Sequence, residues 1–193
     1  MGVCSPFVDT NIGKITVVTS TTRPTGANLY AGKWIYESDT LRTLMYDGTG
    51  WIIMDEPTQT FTPNWSSGLT TTSGTNEGRY RRSGGWYDFF AKFTFGASSA
   101  VTGSVVLTYP IACIAGNIKP QLVVQYYDQS ANVVYDGAPI TPGSASSVLG
   151  VLNAAGTYAT VVVLAATIPF GVAWTTSDTI AVWGRGEMTT RYS

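Results

Sequence analysis

The 193-residue chain contains no histidine. That removes the commonest general base, the commonest zinc ligand and every Ser/His or Cys/His relay. Acid–base chemistry would have to run on carboxylates, of which there are twelve, scattered along the sequence. Asp39, Asp47, Asp128, Asp136 and Asp178 stand in the turn-like contexts "SDTL", "YDGTG", "YDQS", "YDGA" and "TSDT", where a short carboxylate bonds to neighbouring backbone. A glycosidase needs two carboxyl groups ~5–10 Å apart across a cleft. Glu77, Asp88 and Glu187 are the candidates, and no spacing in the sequence joins them. The residues therefore favour a protein that is not an enzyme.

Calcium requires several oxygen ligands, whereas "DGTG" at 47–50 supplies one carboxylate and two glycines. It reads as a hairpin turn, and neither a metal nor a cofactor is expected. "GTG" and "GRG" lack the strand–loop–helix setting of a phosphate loop. Cys4 and Cys113 lie far apart with no second pair, so they form neither a disulfide framework nor a four-ligand zinc site. Both read as free thiols, Cys113 buried in "PIACIAG"; an intersubunit bridge through Cys4 is the alternative.

The stretch "RYRRSGGWYDFF" is the sharpest binding signal. Arginines beside Trp86 and Tyr87 could grip an anionic glycan by charge and stacking, which makes Arg81, Arg82 and Trp86 the glycan-binding candidates. The preferred reading is plainer: a hairpin turning at "SGG", with its arginines on a solvated face or a subunit interface.

Composition bounds the elements that must position these groups. Eleven basic and twelve acidic residues, with 12% charged in all, leave no charge block for nucleic acid or an anionic membrane to hold. Threonine (28), serine (16) and glycine (21) are abundant and aromatics reach 12%, a mixture suited to pleated surfaces and tight turns. The class expected is all-β. No apolar run approaches the ~20 residues of a membrane span, and "MGVCSPFVDTNIGK" does not read as a signal peptide. A soluble chain without membrane insertion is expected; Pro6 does not fit the myristoylation pattern that Gly2 would open.

After "ITVVTS" and a loop, "KWIYE", "RTLMY" and "WIIM" read as three short strands joined by loops of hairpin length. Those loops set Glu37 against Arg42, Ile35 against Leu44, Leu44 against Ile53 and Tyr46 against Trp51. One face then holds Ile35, Leu44, Tyr46, Trp51 and Ile53, and the other Trp34, Tyr36, Met45, Ile52 and Met54. Both are apolar. A sheet this small cannot bury both by itself, so the second set are the subunit-interface candidates, with another copy of the chain as the cover.

"DEPTQT" interrupts the strands at Pro57 and marks a linker at 57–60. In "WYDFFAKFTFG", Tyr87, Phe89, Ala91, Phe93 and Phe95 share a core-facing side, leaving Trp86, Asp88, Phe90, Lys92 and Thr94 on the other. Further strands read as "GRYRR", "SVVLTYP", "PQLVVQYYD", "NVVYD", "SSVLGVL", "ATVVVLA" and "TIAVWGRGEM", with turn signals every ~8–12 residues as in a sandwich or barrel. The Ala-rich 151–170 stretch invites a helix, but Gly156 and the β-branched run near Val162 argue for strand.

The segment from Thr19 to Met54 resembles a small module of tailed-bacteriophage virion proteins. It carries an "S-T-R-P"-like entry at Thr21–Pro24, an "I-Y-E-T-D"-like element at Ile35–Asp39 and a "Y-D-G-T-x-W" hairpin at Tyr46–Trp51. "FTPNWSSGLT", the 78–110 hairpin region and "PFGVAWTTSDTIAVWGRGEM" resemble a C-terminal domain of phage minor tail and fibre-like proteins. The resemblance implies a trimeric β-sandwich or jelly-roll-like knob on the virion surface, without catalysis. The expected layout is an attachment arm at 1–20, a three-stranded β-meander at 21–56, the linker at 57–60 and a sandwich at 61–193. Expected partners are the chain itself as a homotrimer, other phage virion proteins and a host cell-surface glycan, in a particle assembled in the bacterial cytoplasm. The roles implied are minor tail or fibre-tip protein, with a capsid decoration protein or head fibre as the alternative and a polysaccharide-degrading tail enzyme as the outsider.

Overall fold

The computed structural model describes residues 15–66, 68–101, 105–108, 110–111, 121–136, 148–152, 158–163, 167–168 and 172–188. Cys4 and Cys113 lie outside these residues, as does the side chain of Asp136. The fold is all-β.

The first sheet contains β1 (Thr16–Val18), β2 (Trp34–Glu37), β3 (Arg42–Tyr46) and β4 (Trp51–Asp55), paired in that order. The hairpin register is the one set by the loop lengths: Glu37 opposes Arg42, Ile35 opposes Leu44 and Tyr46 opposes Trp51. The sheet has four strands, however, rather than the three expected. β1, from the segment assigned to the arm, lies parallel to β2 with Val17 opposite Tyr36. A parallel neighbour needs a long crossover instead of a tight turn, so no local signal marks it.

The entry loop is tied down by the charged residues of the resembling motif. Arg23 pairs with Glu37, which is fully buried and also accepts a bond from the Thr40 hydroxyl at 2.6 Å. Asp39 accepts bonds from the Ser20 hydroxyl and backbone N–H at 2.7 and 2.9 Å. The Ser20 hydroxyl is the main cause holding the Asp39 carboxyl below its ordinary value; slight desolvation opposes it and the Ser20 N–H assists. Loop residue Leu29 and β1 residue Val18 then pack with Tyr46 against Ile35, Leu44, Trp51 and Ile53. The chain itself covers this face.

The larger part contains β5 (Gln59–Thr60), β6 (Trp65–Ser66), β7 (Leu69–Thr70), β8 (Thr75–Ser83), β9 (Trp86–Thr94), β10 (Ala100–Val101) and β11 (Val105–Thr108). β12 (Gln121–Asp128), β13 (Val133–Asp136), β14 (Val148–Leu152), β15 (Tyr158–Val163), β16 (Thr167–Ile168), β17 (Val172–Ala173) and β18 (Thr179–Glu187) follow. The 158–163 stretch is therefore strand, where the alanines had invited a helix. β5 lies inside the expected linker: Gln59 and Thr60 pair with Tyr80 and Arg79, covering the middle of the β8 edge.

A six-stranded sheet of order β13-β12-β18-β9-β8-β5 and a four-stranded sheet of order β14-β15-β11-β6 supply the two layers. Pairings β6/β11, β7/β10 and β8/β9 nest inside one another, so the ribbon folds back on itself in jelly-roll fashion. The core gathers Tyr87, Phe89, Ala91, Phe93, Val124, Tyr126, Ile180 and Val182 from one sheet and Trp65 and Leu107 from the other. Burying aromatics of this size contributes roughly 1.5–3 kcal/mol each. Phe95 stacks on Trp174 at 4.5 Å and meets Phe93 edge-on at 5.2 Å.

Candidate functional site: the open face of the six-stranded sheet

Strand alternation decides which side chains are left for function. On β9 the odd residues from Tyr87 to Phe93 enter the core, so Trp86, Asp88, Phe90 and Lys92 face the other way. The β9–β18 register places Trp183 beside Phe90, Arg185 beside Asp88 and Glu187 beside Trp86. β8 sets Arg79 against Phe90, Arg81 against Asp88 and Glu77 against Lys92. β12 adds Val123 beside Trp183.

An apolar row, Phe90–Trp183–Val123, thus crosses three strands between two charged rows. Phe90 and Trp183 touch with ring centres 5.3 Å apart, and Trp183 is 38% and Val123 58% exposed. The Arg79 guanidinium lies over the Phe90 ring at 5.5 Å and Arg185 over Trp86 at 5.5 Å. Two adjoining grooves share Trp183 as a wall. One, of about 400 Å³, runs along Arg79, Arg81, Asp88 and Phe90; the other, of about 300 Å³, lies towards Val123 and Arg185.

Charges on this face are matched in place. Glu77 pairs with Lys92 at 2.9 Å and with Arg79 at 2.5 Å. The bond from Lys92, and then that from Arg79, holds the Glu77 carboxyl below its ordinary value. Arg81 donates from Nη2 and Nε to Asp55 at 2.6 and 3.0 Å, and Arg185 lies 3.7 Å from Asp88.

Of the three glycan candidates, Arg81 and Trp86 lie on this face and Arg82 does not. Arg82 points to the opposite side of β8 and forms a two-pronged pair with Glu56 at 2.6 and 2.7 Å. Its backbone N–H also reaches Glu56, at 3.2 Å. Glu56 is buried, and Arg42 Nε adds charge pairing at 3.2 Å. Beside this cluster, the Gly84 N–H donates to Ile53 O at 3.0 Å and the Ser83 hydroxyl to Met54 O at 3.1 Å. Arg82 therefore joins the two parts of the chain. Gly84 and Gly85 form the tip of this hairpin with φ of 58° and 88°, the left-handed conformation that a two-residue turn of this type requires.

The subunit-interface candidates divide. Ile52 is buried and Met54 half-buried, its methyl group facing Gly84. Trp34 is 39% exposed, and Tyr36 and Met45 are partly so. Val17, 66% exposed, extends the outer face beside Tyr36.

The turn acids do local work. Asp47 Oδ1 accepts bonds from the N–H groups of Thr49 and Gly50 at 2.8 and 2.9 Å. Asp128 holds Ser130 and Ala131, and Asp178 bonds the N–H groups of Thr175 and Gln129. Of the possible catalytic carboxylates, Glu77 stands four residues along the sheet from Asp88's row, ~13 Å away. Glu187 is offset from Asp88 by one strand and two residues, ~8 Å by strand geometry. A glycosidase's general acid sits in a desolvated pocket, whereas the Asp88 side chain is 64% exposed and beside a cation.

Phe90, Trp183, Arg185 and Val123 were not singled out by sequence. Alternation alone predicts that Phe90 faces away from the core, and the same reading of "TIAVWGRGEM" turns Trp183 outward. What the sequence lacks is the pairing of two distant strands that makes them neighbours. Searches against protein-family models, curated proteins and solved structures find no match to this chain.

Proposed function

We propose that this protein is a structural component exposed on a bacteriophage particle, a minor tail or fibre-tip protein without catalytic activity. It assembles as a homotrimer through the outer face of the first sheet and presents the sandwich to the host cell surface. The observation that carries this reading is the division of labour between two open faces. The first sheet exposes an apolar set, Val17, Trp34, Tyr36 and Met45, of a kind that self-association covers. The sandwich exposes an aromatic groove bordered by paired charges, of a kind that binds a polar ligand. The resemblance of residues 19–54 to a virion module supports the location and the threefold symmetry.

Two measurements test it. Sedimentation of the purified chain should give a trimer that Trp34→Glu dissociates without unfolding the sandwich; a stable wild-type monomer contradicts the assembly. In a gel of purified virions, a 20.6 kDa band at a few copies per particle supports the tail role. Hundreds of copies would reassign the protein to the capsid surface as a decoration protein or head fibre, and absence from the particle would overturn the reading.

A further inference from the structure

We infer that the two grooves meeting at Trp183 form a binding site for a neutral pyranose oligosaccharide. This inference rests on the proposed host-surface role and names the chemistry it would use.

A pyranose ring has an apolar C–H face and a rim of hydroxyls, so its sites combine an aromatic platform with flanking hydrogen-bonding groups. Trp183, open to solvent, supplies the platform, and Phe90 braces it with its ring centre 5.3 Å away while Arg79 covers the Phe90 ring. Asp88, Arg185 and Arg81 stand in the neighbouring row, where a carboxylate can accept from hydroxyls and guanidinium groups can donate to them. Volumes of about 400 and 300 Å³ on either side of Trp183 reach the ~300–1,000 Å³ range of small-molecule sites. One oligosaccharide laid across the Trp183 wall would occupy both grooves.

Charge selects the neutral class. Arg79 and Lys92 share Glu77, Arg81 holds Asp55 and Arg185 neighbours Asp88. With Glu187 on the same face, four cations meet four carboxylates, and no net field remains to draw an anionic glycan or a nucleic-acid strand. The same pattern disfavours a protein partner. The apolar part is a single row between charged rows, and a flat protein surface pressed onto it would dry out these ion pairs, at a desolvation cost. Hydroxyls can instead replace water at the charged groups.

The experiment titrates the full-length chain calorimetrically with cellohexaose, chitohexaose, mannohexaose and maltohexaose, with hyaluronan hexasaccharide as the anionic arm. At least one neutral oligosaccharide should bind saturably; Trp183→Ala should weaken it about tenfold and Phe90→Ala to a smaller degree, with both variants still unfolding cooperatively. Asp88→Asn should weaken it less and leave the fold unchanged. No binding by any of the four neutral probes overturns the inference, as do binding that survives Trp183→Ala and a tenfold preference for hyaluronan. Self-association abolished by Trp183→Ala would assign the face to a second copy of the chain and also overturn it. Failure here is separable from failure of the virion role. A protein present at a few copies per particle that binds no oligosaccharide loses only the site, and one that binds but is absent from the particle loses only the location.

Discussion

Arg81 and Arg82 are consecutive on β8, yet they belong to different regions of the molecule. Arg82 turns inward to the junction, where the buried Glu56 holds it in a two-pronged pair with Arg42 alongside. Arg81 turns outward to the open sheet face, where it pairs with the exposed Asp55. Residue type and spacing are the same and the environment differs. In the junction the Glu56 carboxylate is shut off from water and its two arginines are largely covered, so the carboxylate depends on its partners. On the open face water and salt screen the pair, and the arginine remains available to a ligand. A sequence signal such as "RYRR" therefore divides between a buried junction and an open sheet face by the period-2 alternation of the strand.

The junction should suffer most from the loss of one charge. Glu56→Gln leaves Arg82 and Arg42 without a counter-charge, and unfolding in urea should show a loss of ~3–5 kcal/mol. A loss below ~1 kcal/mol would mean that the junction is as forgiving as the surface. At the hairpin tip, Gly84→Ala places a side chain at φ 58° and should cost ~1–2 kcal/mol, read from the same urea curves. In the opposite direction, Leu41 is exposed at φ 56°. Leu41→Asn should raise stability by about 0.5–1 kcal/mol, because asparagine tolerates this conformation better.

Acid probes the entry-loop contact between Ser20 and Asp39. The folded pKa of Asp39 lies below the ordinary 3.8, so the unfolded chain takes up its proton first as the pH falls. The Ser20–Asp39 contribution is complete above the unfolded value and is lost as the pH drops through the lowered folded one. The Ser20 amide resonance should shift over that acid range; an unchanged resonance would show that the contact does not form in solution. The smallest effect belongs to Arg81→Ala, which should change stability by no more than ~0.5 kcal/mol.

Much of the first sheet was legible in the sequence. "SDTL" and "DGTG" fix loop length, loop length fixes register, and alternation then assigns Ile35, Leu44 and Ile53 to one face. The parallel strand β1 was not legible, because its partner follows a long crossover without turn chemistry. In the sandwich, alternation assigned the inner and outer sides of β9. It could not show that β18 lies beside β9, since that neighbour is chosen by packing between distant segments. Trp183 and Phe90 therefore read as two unrelated outward aromatics, and their contact and the grooves that meet at Trp183 emerge only from the fold. The inward turn of Arg82 is hidden for a related reason: the acid that takes it inward, Glu56, comes from a distant segment that no local pattern pairs with β8.

The division between a structural junction and a proposed binding face is tested most directly by one paired titration. Glu56→Gln and Trp183→Ala are each titrated with the tightest-binding neutral oligosaccharide, at a temperature where both remain folded. The account predicts wild-type affinity for Glu56→Gln and an affinity about tenfold weaker for Trp183→Ala. Equal loss in both variants, or a loss confined to Glu56→Gln, would contradict it.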